Sequence, residues 1–508
     1  MRRARAHASP IVTARVVTGA EGYHEPVTGE AARGAHEAND ATRGSAIKLA
    51  AEVASRGLGL LTMVLVTRGL GVEGFGVFGE LSVYALLLAE LGELGLSALA
   101  SRALVARTHS LESLVRARLV LAGVVTAVAV AVGPLTPALA RRLGAGPADG
   151  RALALLVAWF ALSGWGEFLG VALRCRGARR LEAVLLLVLR GGSLVFAGLA
   201  LLAGAGLRGV AAALAVSPLP AIAFGAAGLR RTATPGPAVA PARVLRESAP
   251  LAVHGGLLLL SPRVEFLVLS WLLADRAAVG LFYAALNVVW FLSMVPTAVA
   301  AGAMPALTRE ALQGGGGVRR RTAATLALMA APAAVGLALV ALPVAALLLG
   351  AGYAPADYAA TAGSLRIMSA ALPALFLNAL VFASLIASGR ATWLPRLTAG
   401  RVAIAFALAF ALVPVLGARG AAAGLVLAEW LLLVLGWLAC RGAAFGVPVA
   451  RPVAWALAAC VPMALAVNGV RESLPLAVPI GALSWAATLA AVARLRPGLA
   501  RELVGGLR

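Results

Sequence analysis

Apolar stretches recur fourteen times between residues 46 and 493. Most are about 20 residues long, the length a helix needs to cross a hydrocarbon core. They lie at 46–67, 76–99, 119–139, 152–173, 181–203, 208–228, 249–273, 278–303, 323–349, 361–388, 393–415, 420–440, 452–469 and 475–493. The last two are short. Strand-like alternation of apolar and polar residues is absent, which argues against a membrane barrel. Backbone in lipid must satisfy its polar groups internally, so each stretch is expected to be a helix. The pattern therefore predicts an all-α, polytopic membrane protein with about 14 transmembrane helices.

The polar gaps are not equivalent. Those after even-numbered spans, with the C-terminal tail, hold 24 arginines, against 8 in the opposite gaps. Basic loops stay on the cytoplasmic side, so both termini are expected there. Charged residues make up 13% of the chain, hydrophobic residues 61%, and mean hydropathy is +0.91. A soluble domain would carry about 25% charge. The net charge of +22 sits in short loops and reads as topology signalling, so no nucleic-acid partner is expected. Lys48 is the only lysine beside the arginines; with abundant Ala, Gly, Leu and Val this suggests a GC-rich bacterial genome and hence a bacterial plasma (inner) membrane. Cys175, Cys440 and Cys460 lie far apart, giving neither a disulfide framework nor a metal spacing, and no cofactor is expected. Residues 1–44 are polar and lack the apolar core of a signal peptide. They read as a disordered cytoplasmic tail or the product of an early start codon. No gap is long enough for a soluble domain, so binding must occur among the helices.

Residues 45–109 resemble residues 248–310. Each segment opens a span with Ser-Ala and crosses a short turn carrying a charge and a glycine-aromatic pair. These are Glu73-Gly74-Phe75-Gly76-Val77-Phe78 and Asp275 through Gly280-Leu281-Phe282. The offset is six spans, so the repeat is parallel. Two six-helix lobes (45–229 and 230–440) around a central cleft are expected, followed by two trailing helices and a short tail (441–508). Such an arrangement suits alternating access.

Four stretches carry a family resemblance. They are Arg68-Gly69-Leu70-Gly71-Val72-Glu73-Gly74-Phe75-Gly76 running on to Gly92, Gly95 and Arg102; Val279-Gly280-Leu281-Phe282-Tyr283-Ala284-Ala285 with Pro296 and Met304-Pro305-Ala306-Leu307; Leu349-Gly350-Ala351-Gly352-Tyr353; and Pro414 through Ala423 with Glu429 beyond. In order and spacing the chain resembles the polysaccharide or oligosaccharide flippases (Wzx-type) of the multidrug/oligosaccharidyl-lipid/polysaccharide exporter superfamily. The resemblance implies transfer of undecaprenyl-diphosphate-linked oligosaccharide to the outer leaflet for surface polysaccharide synthesis. It also implies membrane lipid, polysaccharide polymerase and chain-length proteins as partners.

Ionisable groups inside spans usually face a cavity or a partner. Arg263, in the middle of span seven, suits a diphosphate, because guanidinium is permanently charged and forks onto phosphate oxygens; the alternative is a pair with a neighbouring carboxylate. Lys48, Glu52 and Arg56 fall on one face of the first span. Arg366 and Asn378 in span ten, Arg190 in span five and Arg401 in span eleven are further cleft candidates, with snorkelling at a helix end the alternative for Arg190 and Arg401. Glu80, Glu90, Glu93 and Glu167 are candidates for proton or cation coupling, with Glu265 beside Arg263; pairing with Arg190 or Arg102 is the alternative for the first four. A diphosphate cargo would call for a cationic cavity. His254 and the tryptophans read as packing or interface residues, and Gly74-x-Gly76-x-x-Gly79 lacks the strand a dinucleotide site requires.

A lipid II flippase is the nearest rival reading, and a cation-coupled drug antiporter the next. A membrane enzyme is disfavoured by the absence of a large outer loop, a soluble domain or a nucleophile motif.

Overall fold

The computed structural model describes residues 28–93, 95–132, 150–230, 236–313, 315, 317–440 and 450–495. Residues 1–46 form one compact unit and 47–508 another; all that follows concerns the second. Part of the expected tail falls in the helix beginning at Thr28, so 28–44 are helical. Residues 1–27 lie outside the described residues, as do the links 133–149 and 441–449 and the tail from 496.

Among the described residues the structure is helical, without strands. The first bundle comprises α1 (Thr28–Leu91) from Ile47 onward, α2 (Leu96–Val105), α3 (Leu111–Val132), α4 (Gly150–Cys175), α5 (Arg179–Leu202), α6 (Leu207–Val216) and α7 (Leu219–Arg230). The second runs from α8 (Pro241–Leu260), through a 3₁₀ turn (Ser261–Arg263), to α9 (Val264–Leu272), α10 (Arg276–Leu292), α11 (Met294–Gln313), α12 (Gly317–Leu339), α13 (Ala341–Leu349), α14 (Pro355–Ser369), α15 (Leu372–Ala387), α16 (Trp393–Leu416) and α17 (Ala418–Ala439). Helices α18 (Ala450–Asn468) and α19 (Leu474–Leu495) follow.

Among the described residues ten helical segments are long and apolar enough to span a bilayer, and the pair α14–α15, bent by 44°, makes an eleventh. The three further expected spans have individual explanations. Ala50–Leu91 is 42 residues long and holds two helices meeting at Gly71, whose φ of 69° and ψ of −178° are not helical. Glycine reaches that conformation without the penalty a Cβ imposes. Leu111–Val132 has the required length. Ala454–Asn468 is one of the shorter apolar helices. Span two was expected to reach residue 99, but α1 stops at Leu91 and the chain turns at Gly95 (φ 71°) into the separate α2.

Outward faces carry large apolar side chains such as Leu202, Val415, Leu465 and Leu483, each at least 70% exposed. In water such a surface would be strongly unfavourable; in hydrocarbon it is matched. Inside, apolar cores partition along the bundles. One core joins α9, α10, α12, α15 and the α16–α17 hairpin around Phe266, Phe282 and Phe376. Another gathers Leu114, Phe168, Leu173 and Leu189 of the first bundle with Val244 of α8. A third crosses between bundles, putting Phe75 and Phe78 with Leu281, Ala284 and Tyr353. The trailing helices α18 and α19 pack on α12 through Cys460, Met463 and Val467.

Candidate functional site

The bundles enclose a cavity of about 620 Å³, within the size range of small-molecule sites. Glu52, Ser55, Arg56, Gly59 and Met63 of α1 line one wall. Glu93, Ser97, Glu167 and Arg174 form the next, Glu182 and Arg190 of α5 the third, and Asn287, Trp290 and Phe291 of α10 close it from the second bundle. Helices rather than loops supply almost all of these groups, because the gaps are too short to reach inside.

The expectation of a cationic lining is corrected by this geometry: four carboxylates and three guanidiniums line the space. All are paired. Arg190 meets Glu167 at 2.6 Å, and Arg174 meets Glu182 at 2.6 Å. Arg56 reaches Glu52 at 3.4 Å with both side chains about half exposed (49% and 46%). Such an exposed helical pair is worth only about 0.3–0.5 kcal/mol and is easily exchanged for another anion. Behind the wall, Arg118 approaches Glu93 at 3.6 Å and lies over Trp165 and Phe168, 5.1 and 5.0 Å from the ring centroids. Cation–π contact and the carboxylate together hold this nearly buried charge.

Arg263 stands beside the cavity rather than on its lining. Its Nη1 donates to the Leu259 carbonyl at 2.6 Å. Among the described residues no carboxylate lies within ion-pair distance of it, and its electrostatic neighbours are Tyr283 and Glu90. Tyr283 lies on α10 one turn before the cavity-lining Asn287, whose Nδ2 donates to the Tyr283 carbonyl at 2.7 Å. Glu90 is half-buried among Glu93, Glu167, Arg118 and Arg263. A Cβ added to Gly255 of α8 would lie 3.9 Å from its Oε1, so α8 runs directly past this carboxylate. Glu90 thus lies between the acidic groups of the first bundle and Arg263 of the second.

The remaining sequence candidates are placed elsewhere. Glu80 pairs with Arg276 across the bundles, away from the cavity. Glu265 is fully buried against Arg401 at 3.0 Å and so is not a cavity carboxylate. Arg366 is exposed on α14 and does not line the cavity. Arg401, for which snorkelling was the alternative, is 2% exposed in the interior of α16, and Asn378 bonds Glu429 beside it. Glu90 and Glu93 do not share a helical face, because the helix ends between them. The Lys48 side chain lies outside the described residues. No group of three metal-binding side chains occurs among the described residues.

Sequence reading missed Arg118 and Arg174, which it counted as loop arginines marking topology, and the wall residues Asn287, Trp290 and Phe291. Arg118 offered one signal, since an apolar run continues directly beyond it. The wall residues offered none, because neutral and aromatic residues are common in spans.

At the end opposite the cavity the bundles are sealed together. Gly76 of α1 crosses Gly280 of α10 with their backbones in contact. Tyr353 Oη donates to the Thr67 carbonyl at 2.6 Å, and Arg68 donates to the Leu347 carbonyl. Trp271 Nε1 donates to Tyr84 Oη at 2.7 Å. Phe75 and Tyr283 pack with ring centroids 5.9 Å apart. The space between the bundles is thus charged and open at one end, and at the other is closed by glycine and aromatic packing, hydrogen bonds and the Glu80–Arg276 pair.

The helical fold is similar to that of solved structures that include transporters of the MOP superfamily. The model of the Polysaccharide biosynthesis protein family matches residues 41–310, more than half of the chain, and the chain belongs to that family. No curated protein matches it. Among solved structures, the lipid II flippase MurJ in an inward closed conformation superposes with a TM-score of 0.72 at 12% identity, covering 88% of this chain and 98% of that one. A multidrug resistance MATE family transporter in its inward-facing conformation gives 0.59 at 20% identity, over 78% of this chain and 94% of that one. A MOP superfamily transporter from Pyrococcus furiosus, described as having a binding pocket of reversed polarity, gives 0.53 at 20% identity, over 79% and 94%. These proteins are a flippase and two transporters rather than enzymes.

Proposed function

We propose that the chain is a flippase that moves an undecaprenyl-diphosphate-linked oligosaccharide across the bacterial plasma membrane by alternating access. The observation that carries this reading is Arg263: a mid-span guanidinium beside the cavity, with no carboxylate at ion-pair distance among the described residues. An intramembrane charge without a structural partner is costly and points to a functional role. A diphosphate supplies the missing anion and can draw Arg56 from its weak pair with Glu52. The lobes at 45–229 and 230–440 are the moving bodies, and both termini face the cytoplasm. The cavity then opens inward, and the Gly76–Gly280 seam closes the outer side.

Glu90 is the coupling group in this reading. While ionised it attracts Arg263 from beyond ion-pair distance; a proton on Glu90 removes that attraction and leaves the guanidinium to cargo, and proton release after delivery restores it. Glu93 and Glu167, already held by Arg118 and Arg190, are not needed for this exchange. The polymerase and chain-length proteins of the same pathway are the expected downstream partners.

One observation favours a second reading. The superposition on MurJ is closer, and covers more of this chain, than that on the MATE transporters quoted above, which supports lipid II as the cargo. Complementation separates the two. The chain is expected to restore surface polysaccharide in a bacterium lacking its glycan flippase. Rescue confined to a strain lacking its lipid II flippase would transfer the function to cell-wall synthesis.

A further inference from the structure

The polar cluster around Arg401 takes no part in the cavity. Arg401 is 2% exposed, Glu265 0% and Glu429 2%. Its Nε donates to Glu429 Oε1 at 2.8 Å and its Nη2 to Glu265 Oε1 at 3.0 Å. Its Nη1 donates to the main-chain carbonyl of Ser261. Asn378 Nδ2 bonds the second oxygen of Glu429 at 3.0 Å.

Two of these bonds straddle a break in span seven. Ser261–Arg263 is a 3₁₀ turn between α8 and α9, and Arg263 itself has φ −119° and ψ −6°. Pro262 has no N–H, so the ladder cannot continue through this point. Carbonyls released at such a break must find other donors in a membrane. The Leu259 carbonyl takes the side chain of Arg263, and the Ser261 carbonyl takes Arg401. Arg401 therefore grips the chain at the first residue of the break, Ser261, and beyond it at Glu265.

One guanidinium between two buried carboxylates is an inefficient way to add stability, since apolar residues of equal volume often do as well. What a rigid, multidentate fork supplies is geometry. We propose that Arg401 is a positioning residue: it clamps the Ser261–Arg263 break and so presents Arg263 to Glu90 and Tyr283. Only the consequence for transport rests on the flippase reading; the clamp itself does not.

The test measures the bend directly. With Cys175, Cys440 and Cys460 replaced by Ala, spin labels at Val253→Cys and Leu272→Cys (66% and 41% exposed in the parent) bracket the break. A straight helix would separate these positions by about 28 Å. Labels at Val184→Cys and Leu199→Cys on α5, also exposed, serve as the control pair. Two backgrounds remove the clamp: Arg401→Lys, which keeps the charge, and the triple variant Glu265→Gln, Arg401→Met, Glu429→Gln, which leaves no buried charge uncompensated. The expected result is a broadened or shifted 253–272 distance distribution with an unchanged 184–199 distribution. In transport, Arg263→Ala combined with Arg401→Lys should be no worse than Arg263→Ala alone, because both act through one group. An unchanged 253–272 distribution in either background that inserts overturns the clamp. Broadening of both pairs also overturns it, by showing a general loss of packing. Because the distance readout needs no cargo, it stands or falls separately from the identity of the substrate.

Discussion

Gly76 and Gly280 meet backbone to backbone: a Cβ placed on Gly280 would stand 2.8 Å from the Gly76 Cα, and one placed on Gly76 would overlap the Arg276 carbonyl oxygen. Small residues allow helices this approach in membranes, where packing rather than hydrophobic exclusion drives association. The two glycines come from the two copies of the internal repeat, so the motif that revealed the repeat is also the seam between its copies.

Replacing Gly76 by Ala should hold the bundles apart at this end. Overpacking costs about 1–3 kcal/mol, which is roughly a five- to hundredfold shift away from the closed seam. The variant should insert normally, transport poorly, and label faster with a water-soluble thiol reagent at Ala284→Cys, a position buried in the same seam. Wild-type transport by Gly76→Ala would show that the seam need not close.

Glu80 and Arg276 tie the same seam by charge, at 10% and 22% side-chain exposure. Removing one partner leaves the other poorly solvated, so Glu80→Gln should lower transport by about tenfold or more. The exchanged pair Glu80→Arg with Arg276→Glu should recover most of it. Failure of the exchange, with both single variants inactive, would assign the two residues separate roles.

Tyr353 seals the closed end of the space between the bundles by donating to the Thr67 carbonyl. Burial, reinforced by the nearby Asp357 and Tyr358, pushes its phenol up to about 12. A phenol whose folded value lies above its unfolded one, near 10, contributes fully below about pH 10 and is lost as pH rises through about 12. The seal should therefore be independent of pH between 6 and 9, to the extent that Tyr353 controls it. Tyr353→Phe should cost about 1 kcal/mol and raise thiol labelling at Ala284→Cys by about fivefold at every pH in that window. A rise appearing only at one end of the window would place the titrating group elsewhere.

Glu90→Gln mimics a permanently protonated carboxyl. It should bind cargo at least as well as the parent while losing the dependence of transport on a proton gradient. Assays with and without an uncoupler check this, and continued gradient dependence would remove Glu90 from coupling.

Much of the fold was legible because lipid enforces a simple code. A span must be apolar and helical, and arginine marks one side of the bilayer. The helix interruptions were less legible. Pro262 stood in plain view beside Arg263, yet a single proline in a span does not reveal whether it bends the helix or turns it into 3₁₀; that depends on donors such as Arg401, distant in sequence. The site was legible as a set of residue types and not as a set of partners. Glu167 and Arg190, 23 positions apart, form a pair, as do Glu80 and Arg276, 196 apart. Glu265 and Arg263 are two positions apart and face different surroundings, because adjacent helical positions point to different neighbours. The expectation of a cationic cavity failed for the same reason: the arginines were visible, and the carboxylates folded against them were not.

The most direct test of the account is a reconstituted leaflet assay. Purified protein is placed in vesicles with fluorescent undecaprenyl-diphosphate-linked oligosaccharide, and an external glycosidase reports which leaflet the glycan occupies. Wild-type protein should render almost all of the labelled lipid accessible, whereas Arg263→Ala, equally well inserted, should leave the inner-leaflet fraction protected. Arg263→Lys should fall between, since lysine keeps the charge and loses the fork. No exchange by the wild-type protein, or equal exchange by Arg263→Ala, would contradict the proposal that a lipid diphosphate crosses the membrane against this arginine.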